Sequence, residues 1–327
     1  MTVNFQNLIT IDEEEFSKLF NCQCENNNLK INIRGYSIPF KGTQQNNRNL
    51  MVFLRRNLLK YVFPEQQRPE DIDWALARDK FGNISPATDG KLGEMLLYVF
   101  VEAILKAPLM AYKLKDLQNP NDQVKGADGV FIGEYRGQRA LFIGESKIHK
   151  DIKEAISDAF ESLQRFHDKK SPYDTELNIA KNYPAQRNLS EEEIKEILQI
   201  FDEEMDYVLV HPIFISYDFE EISKISLKAL SQEEAEQRLK ETILEEIKVW
   251  QSNIENQKKY YPKPFQVYLD FFFLPSENSL KLRNDFYCML HNVDYQEEQK
   301  RQEKKINKKV NDILKKKTNE ENDNELI

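Results

Sequence analysis

The spacing of apolar residues lays out most of this chain before any chemistry is considered. From Lys91 the run KLGEMLLYVFVEAILKA is apolar on nearly every side, which predicts a buried helix closed by Pro108. Between Asp151 and His167, the residues Ile152, Ala155, Ile156, Ala159, Phe160 and Leu163 recur at helical intervals and predict an amphipathic helix with one face inward. Two runs, YVLVHPIFISYD (207–218) and VYLDFFFLP (267–275), lack any polar alternation and read as strands buried on both faces. A long charged helix, from about Ser231 to Lys259, separates them. Ahead of these lie GVFIGEY and QRALFIGESK around an RGQ turn (Arg136 to Gln138), a β-hairpin pattern.

Residues 1–85 read as a mixed α+β segment. It holds an acidic start, a strand pair within Leu29 to Phe40, a helix in NLMVFLRRNLLKYVF, and a linker at EQQRPED after Pro64. An acidic helix, SEEEIKEILQIFDEE (190–204), precedes the first buried strand. The order helix, strand, strand, helix, strand, helix, strand predicts an α/β fold with a mixed sheet and helical crossovers. The domain plan expected is an N-terminal segment (1–85), a principal α/β domain (86–292) and a charged, solvated tail (293–327).

Composition narrows the class. The chain has 327 residues, 40% hydrophobic and 31% charged, with only 10 glycines and 12 prolines, which favours a helix-rich globular protein over a disordered one. No apolar run reaches the roughly 18 residues of a membrane helix, and the acidic N-terminus does not resemble a secretion signal, so a cytoplasmic location without membrane contact is expected. Cys22, Cys24 and Cys288 have neither disulfide-framework nor zinc-site spacing and are expected to be free thiols. The net charge of −9 is unfavourable for gripping nucleic acid unaided. No G-x-x-x-x-G-K-[ST] loop is present, so ATP hydrolysis is not expected of this chain.

The chemistry concentrates in GADGVFIGEYRGQRALFIGESK, Gly126 to Lys147. Strand alternation puts Leu141, Ile143, Glu145 and Lys147 on one face, which drives a carboxylate and an ammonium to the margin of a core. Burial there is costly unless the groups serve each other or a ligand. Folding the hairpin at RGQ returns Asp128 to the same open end as Glu145. Two carboxylates and the Ser146 main-chain carbonyl make an oxygen set that suits Mg2+, with Mn2+ as a substitute. Lys147 is then placed to orient or help deprotonate a water, or to balance charge on an attacked phosphate. Glu94, in the first turn of its helix on the stripe of Leu97, Tyr98, Val101 and Leu105, is a fourth candidate; a first-turn glutamate favoured by the helix dipole is its plain alternative.

A helix Glu, an Asp opening a hairpin and an E-x-K on the next strand resemble the PD-(D/E)xK nucleases, with Glu94, Asp128, Glu145 and Lys147 in the motif positions and Ala127 where the proline usually stands. More narrowly, GE at 93–94, GADG at 126–129 and GESK at 144–147 resemble the HamA family, nuclease subunits of the Hachiman antiphage defence system. The resemblance implies a nuclease-like mixed sheet flanked by helices. It also implies a metal-dependent DNA nuclease with Glu94, Asp128, Glu145 and Lys147 catalytic, Asp128, Glu145, Ser146 and Glu94 around the metal, and a superfamily-2 helicase, HamB, as partner. The alternative is a subunit of the same fold that has lost cleavage and serves to bind such a helicase. His149 and His167 flank the post-motif helix and could face the site, with an exposed or helix-terminal placement as the plainer reading. His211 reads as a satisfied core residue, Gln164 and Arg165 as an ordinary polar face or a phosphate contact, and DFFF (270–273) as core.

Overall fold

The structure is a computed structural model and describes residues 4–28, 30–62, 74–81, 90–112, 127–168, 192, 207–257, 267–293 and 300. The linker at 65–71, Gly126 and, apart from residues 192 and 300, the helix at 190–204 and the tail from Tyr295 lie outside the described residues.

The hairpin forms as its pattern predicts. β6 (Gly129–Tyr135) and β7 (Gln138–His149) pair antiparallel from Gly129↔Gly144 to Tyr135↔Gln138. The two residues between them, Arg136 at φ 52° and Gly137 at φ 76°, supply the positive dihedrals that a tight two-residue turn needs to match strand twist. The buried runs become β8 (Val208–Asp218) and β9 (Val267–Ser276), and β7, β8 and β9 lie parallel in consecutive order. Two of the crossovers are helical: α5 (Ile152–Asp168) leads away from β7, and α6 (Glu220–Lys228) with α7 (Gln232–Asn256) links β8 to β9.

Among the described residues the strands form one mixed seven-stranded sheet, in the order β1-β2-β9-β8-β7-β6-β5, with β1 at Asn21–Asn27, β2 at Ile31–Ser37 and β5 at Leu109–Tyr112. Side chains from its two faces enter two cores. Phe142, Phe214 and Phe272 pack with α1 (Glu13–Leu19), α2 (Asn47–Val62), α3 (Trp74–Phe81), α4 (Lys91–Phe100) and α8 (Ser279–His291), whereas Ile213, Phe271 and Phe273 pack with α5, α6 and α7. The alternation within DFFF therefore feeds both layers, and Trp250 of α7 stacks on Phe273 with ring centroids 4.4 Å apart.

The N-terminal strands depart from expectation in one respect. β2 pairs upstream with β1, whose sequence NCQCENN is almost wholly polar, rather than with a strand later in Leu29 to Phe40. As a sheet edge, β1 needs little apolar content, so the pattern carries no sign of it. The later residues form a small ribbon, β3 (Phe40–Lys41) with β4 (Gln44–Gln45). β2 runs parallel to β9 from Ile31↔Leu269 to Gly35↔Phe273, so sheet and core cross the boundary at 85. The segment is fastened a second time. Where α4 widens into a π-type turn (Val101–Leu105), the fully buried Glu102 accepts from Thr10 N and Thr10 Oγ1, each at 2.7 Å, and from Leu109 N at 3.1 Å.

Among the described residues, no helix is long and apolar enough to cross a membrane. Cys22, Cys24 and Cys288 are free thiols.

Candidate active site at the open end of the hairpin

β6 begins at Gly129, and β7 continues past its end, from Glu145 to His149, paired among the described residues with β8 alone. On the side vacated by β6, the ladder is completed by a side chain. Ser146 donates its backbone N–H to Asp128 Oδ2 at 2.8 Å and its hydroxyl to the same oxygen at 2.7 Å, while Asp128 N–H donates to the Gly144 carbonyl at 3.0 Å. The hairpin thus brings Asp128 to the end of β7 where Glu145 emerges. Alternation in the ladder opens the Ser146 carbonyl to the same side as its N–H, toward Asp128.

α4 closes the site from one face. A Cβ at Gly93 would stand 2.8 Å from Ser146 Oγ, and one at Gly144 would stand 2.7 Å from Leu97 Cδ2. Only glycine permits this approach of helix to strand. It sets Glu94, half-buried in the first turn of α4, beside the Gly93–Ser146 contact, with Oε1 3.8 Å from where a Gly90 Cβ would be. Among the described residues, no three His, Cys, Asp or Glu side chains gather closely enough to share one ion, so Glu94 does not complete a triad with Asp128 and Glu145.

On the other face, beneath α5, Glu145 and Lys147 form an ion pair at 2.6 Å, with side chains 13% and 20% exposed. Burial, and then the negative charge of Asp128, push Glu145 up to about 7; Lys147 and the Ser162 hydroxyl pull the other way. A carboxylate raised by desolvation and a like charge, and only partly offset by Lys147, is further stabilised by a hard cation. The oxygen donors Asp128, Glu145 and the Ser146 carbonyl fit such an ion.

Residues on α5 and β8 border this face. His211 is fully buried, its Nδ1 lies 3.0 Å from the Ile143 carbonyl, and its Nε2 lies 2.9 Å from Nε2 of His167 near the end of α5. Burial, and then the neighbouring imidazole, hold His211 down to about 3, so it is neutral. His149 pairs with Asp158 at 3.3 Å. Arg165 folds back along its helix to Ser162 Oγ at 2.9 Å and to the Glu161 carbonyl at 3.3 Å. Gln164 is half-buried. Sequence reasoning missed Ser162 as a neighbour of Glu145. Its helical position relative to Leu163 and Ala159 was visible, but the rotation of α5 over β7 was not.

A second polar cluster lies inside the sheet. The fully buried Asp270 carboxylate is paired with Arg34 and accepts from Asn32 Nδ2 at 3.1 Å and from the Tyr135 hydroxyl at 3.0 Å. This network joins β2, β6 and β9, and answers why an aspartate interrupts so apolar a strand.

A mixed sheet between two helical layers, with a carboxylate hairpin finished by E-x-K at its open end, defines an α/β protein of the PD-(D/E)xK-like architecture. Comparison with family models supports this narrowly: the chain belongs to the HamA family, whose model matches residues 14–290. The match takes in both N-terminal strands of the sheet and the whole of the site, and marks the chain as a component of the Hachiman antiphage defence system. No curated protein matches the chain.

Proposed function

We propose that the chain is a metal-dependent DNA nuclease, hydrolysing phosphodiester bonds under the control of a superfamily-2 helicase partner. The observation that carries this reading is the convergence of Asp128 and Glu145 at one strand end, with Lys147 held 2.6 Å from Glu145. Mg2+, or Mn2+ in its place, would be held by Asp128, Glu145 and the Ser146 carbonyl with Glu94 adjacent, and would supply a more acidic water and neutralisation of phosphate charge. Asp128 is kept in place by both donors of Ser146, so its carboxylate arrives oriented. Burial and the charge of Asp128 raise Glu145 to about 7, and a bound cation would favour its charged form. Lys147, paired with Glu145 at 2.6 Å, would present a point charge to the attacking water or the phosphate.

The charge balance supports a partner that grips DNA, and the family resemblance implies that this partner is a superfamily-2 helicase. With 46 basic and 55 acidic residues, the chain lacks the excess that supplies general affinity for DNA. A helicase that binds DNA and hydrolyses ATP provides both missing functions.

A second reading, a non-cleaving subunit that binds the helicase, draws on the lack of a three-carboxylate cluster among the described residues. Incubating the chain with linear and circular DNA, alone and with its helicase, in Mg2+ and in EDTA, separates the two. Cleavage that needs both metal and Lys147 supports the nuclease. Stable helicase binding with no cleavage under any condition supports the second reading.

A further inference from the structure

Pro212 sits in the middle of β8, a central strand, where a residue without an N–H leaves a gap in the ladder. The gap is visible. Pairing of β7 with β8 runs from Ala140↔Val208 to Phe142↔Val210, is interrupted, and resumes at Glu145↔Ile213 in unchanged register. In a parallel ladder one N–H serves two successive pairings, so the absent Pro212 donor accounts for the loss opposite both Ile143 and Gly144. Its natural acceptor is the Ile143 carbonyl.

That carbonyl is not left bare. His211 Nδ1 lies 3.0 Å from it. A carbonyl only accepts, so Nδ1 carries the proton, Nε2 of His211 is the acceptor, and the 2.9 Å contact is His167 Nε2–H donating to it. The side chain of the residue before the proline thus fills the proline's vacancy and ties the end of α5 to the sheet. The repaired step immediately precedes Glu145.

We infer that His211 is a positioning residue for the site: its imidazole replaces the ladder donor lost at Pro212 and so fixes the backbone that aims Glu145. The first half stands on the ladder alone, and the second rests on the nuclease reading above. Outer-shell positioning of this kind changes metal affinity by roughly ten- to a hundred-fold.

The test is a suppressor experiment on the full chain. His211→Leu removes the donor; adding Pro212→Ala restores a backbone N–H to the Ile143 carbonyl; His211→Asn keeps a donor at the Nδ1 position but drops the link to His167. Amide hydrogen exchange over 143–147 is measured without metal, and Mn2+ affinity by titration. His211→Leu is expected to speed exchange and weaken Mn2+ binding by about ten-fold each, with both recovered in His211→Leu/Pro212→Ala and largely kept in His211→Asn. If His211→Leu does not fold, recovery of folding by Pro212→Ala, followed by urea melting, reads the same repair. Unchanged exchange in a folded His211→Leu, or a double variant no better than the single, overturns the inference. Exchange that follows the expected pattern in a chain whose wild type binds no Mn2+ keeps the ladder repair and overturns the metal reading instead.

Discussion

Asp128 takes two hydrogen bonds from one residue, Ser146, at 2.8 Å from its backbone and 2.7 Å from its hydroxyl, on a single carboxylate oxygen. This ties the residue that opens the first hairpin strand to the residue between Glu145 and Lys147 on the second. Asp128→Ala removes the oxygen that accepts both hydrogen bonds and leaves the Ser146 N–H without its partner. A loss of about 1–3 kcal/mol in urea-unfolding free energy is expected, together with loss of Mn2+ binding. Asp128→Asn keeps one acceptor oxygen and is expected to recover much of the stability but not the metal. Equal stability of Asp128→Ala and wild type contradicts the anchoring role.

Lys147 contributes charge and no ligand atom. Lys147→Ala is expected to lower the cleavage rate at least about a hundred-fold, in the range of a lost general acid or base, while Mn2+ still binds. Cleavage kinetics beside a Mn2+ titration check this, and wild-type cleavage in the variant removes Lys147 from the mechanism.

Glu145 links the site to pH. Its folded value of about 7 lies above the 4.5 of an unperturbed glutamate, so the folded chain holds this proton more tightly than the unfolded chain. The resulting destabilisation is absent below about pH 4.5, grows between 4.5 and 7, and is constant above that. Metal-free Glu145→Gln is therefore expected to be more stable than wild type at pH 8, by on the order of 1–3 kcal/mol, and not at pH 4. Adding Mn2+ at pH 8 is expected to stabilise wild type and leave Glu145→Gln unchanged. Urea melts at the two pH values decide the matter.

Gly93 is the contact that seats α4 on the site, and an alanine there puts a methyl 2.8 Å from Ser146 Oγ. Gly93→Ala is expected to cost about 1–3 kcal/mol through overpacking and to weaken Mn2+ binding by moving Ser146 and Glu94. Gly93→Ala/Ser146→Gly, which clears the clash, is expected to regain stability without regaining full metal affinity. No stability loss in Gly93→Ala contradicts the close approach.

The hairpin and its open end were legible because period-two alternation, an R-G turn and the E-x-K spacing all lie within a short window. The buried strands β8 and β9 were legible from unbroken apolar runs. β1 was not, because a polar edge strand has no pattern of its own. β5, α6 and α8 are short or only weakly patterned, and tertiary packing decides them. The partnership of His211 with the Ile143 carbonyl depends on which β7 residue faces Pro212, a matter of register between strands far apart in sequence. Asp270 looked like one residue of an aromatic core, and its partners come from β2 and β6, which no local spacing reveals.

The central claim, that Asp128, Glu145 and Lys147 form a metal-dependent nuclease site, is tested most directly by cleavage of DNA with the helicase partner and ATP present. Wild type, Lys147→Ala and Glu145→Gln are compared in Mg2+ and in EDTA. The account predicts cleavage by wild type in Mg2+ only, and cleavage at least about a hundred-fold slower in either variant, with all three still bound to the helicase. Cleavage that persists in EDTA, or at the wild-type rate in Lys147→Ala, contradicts it.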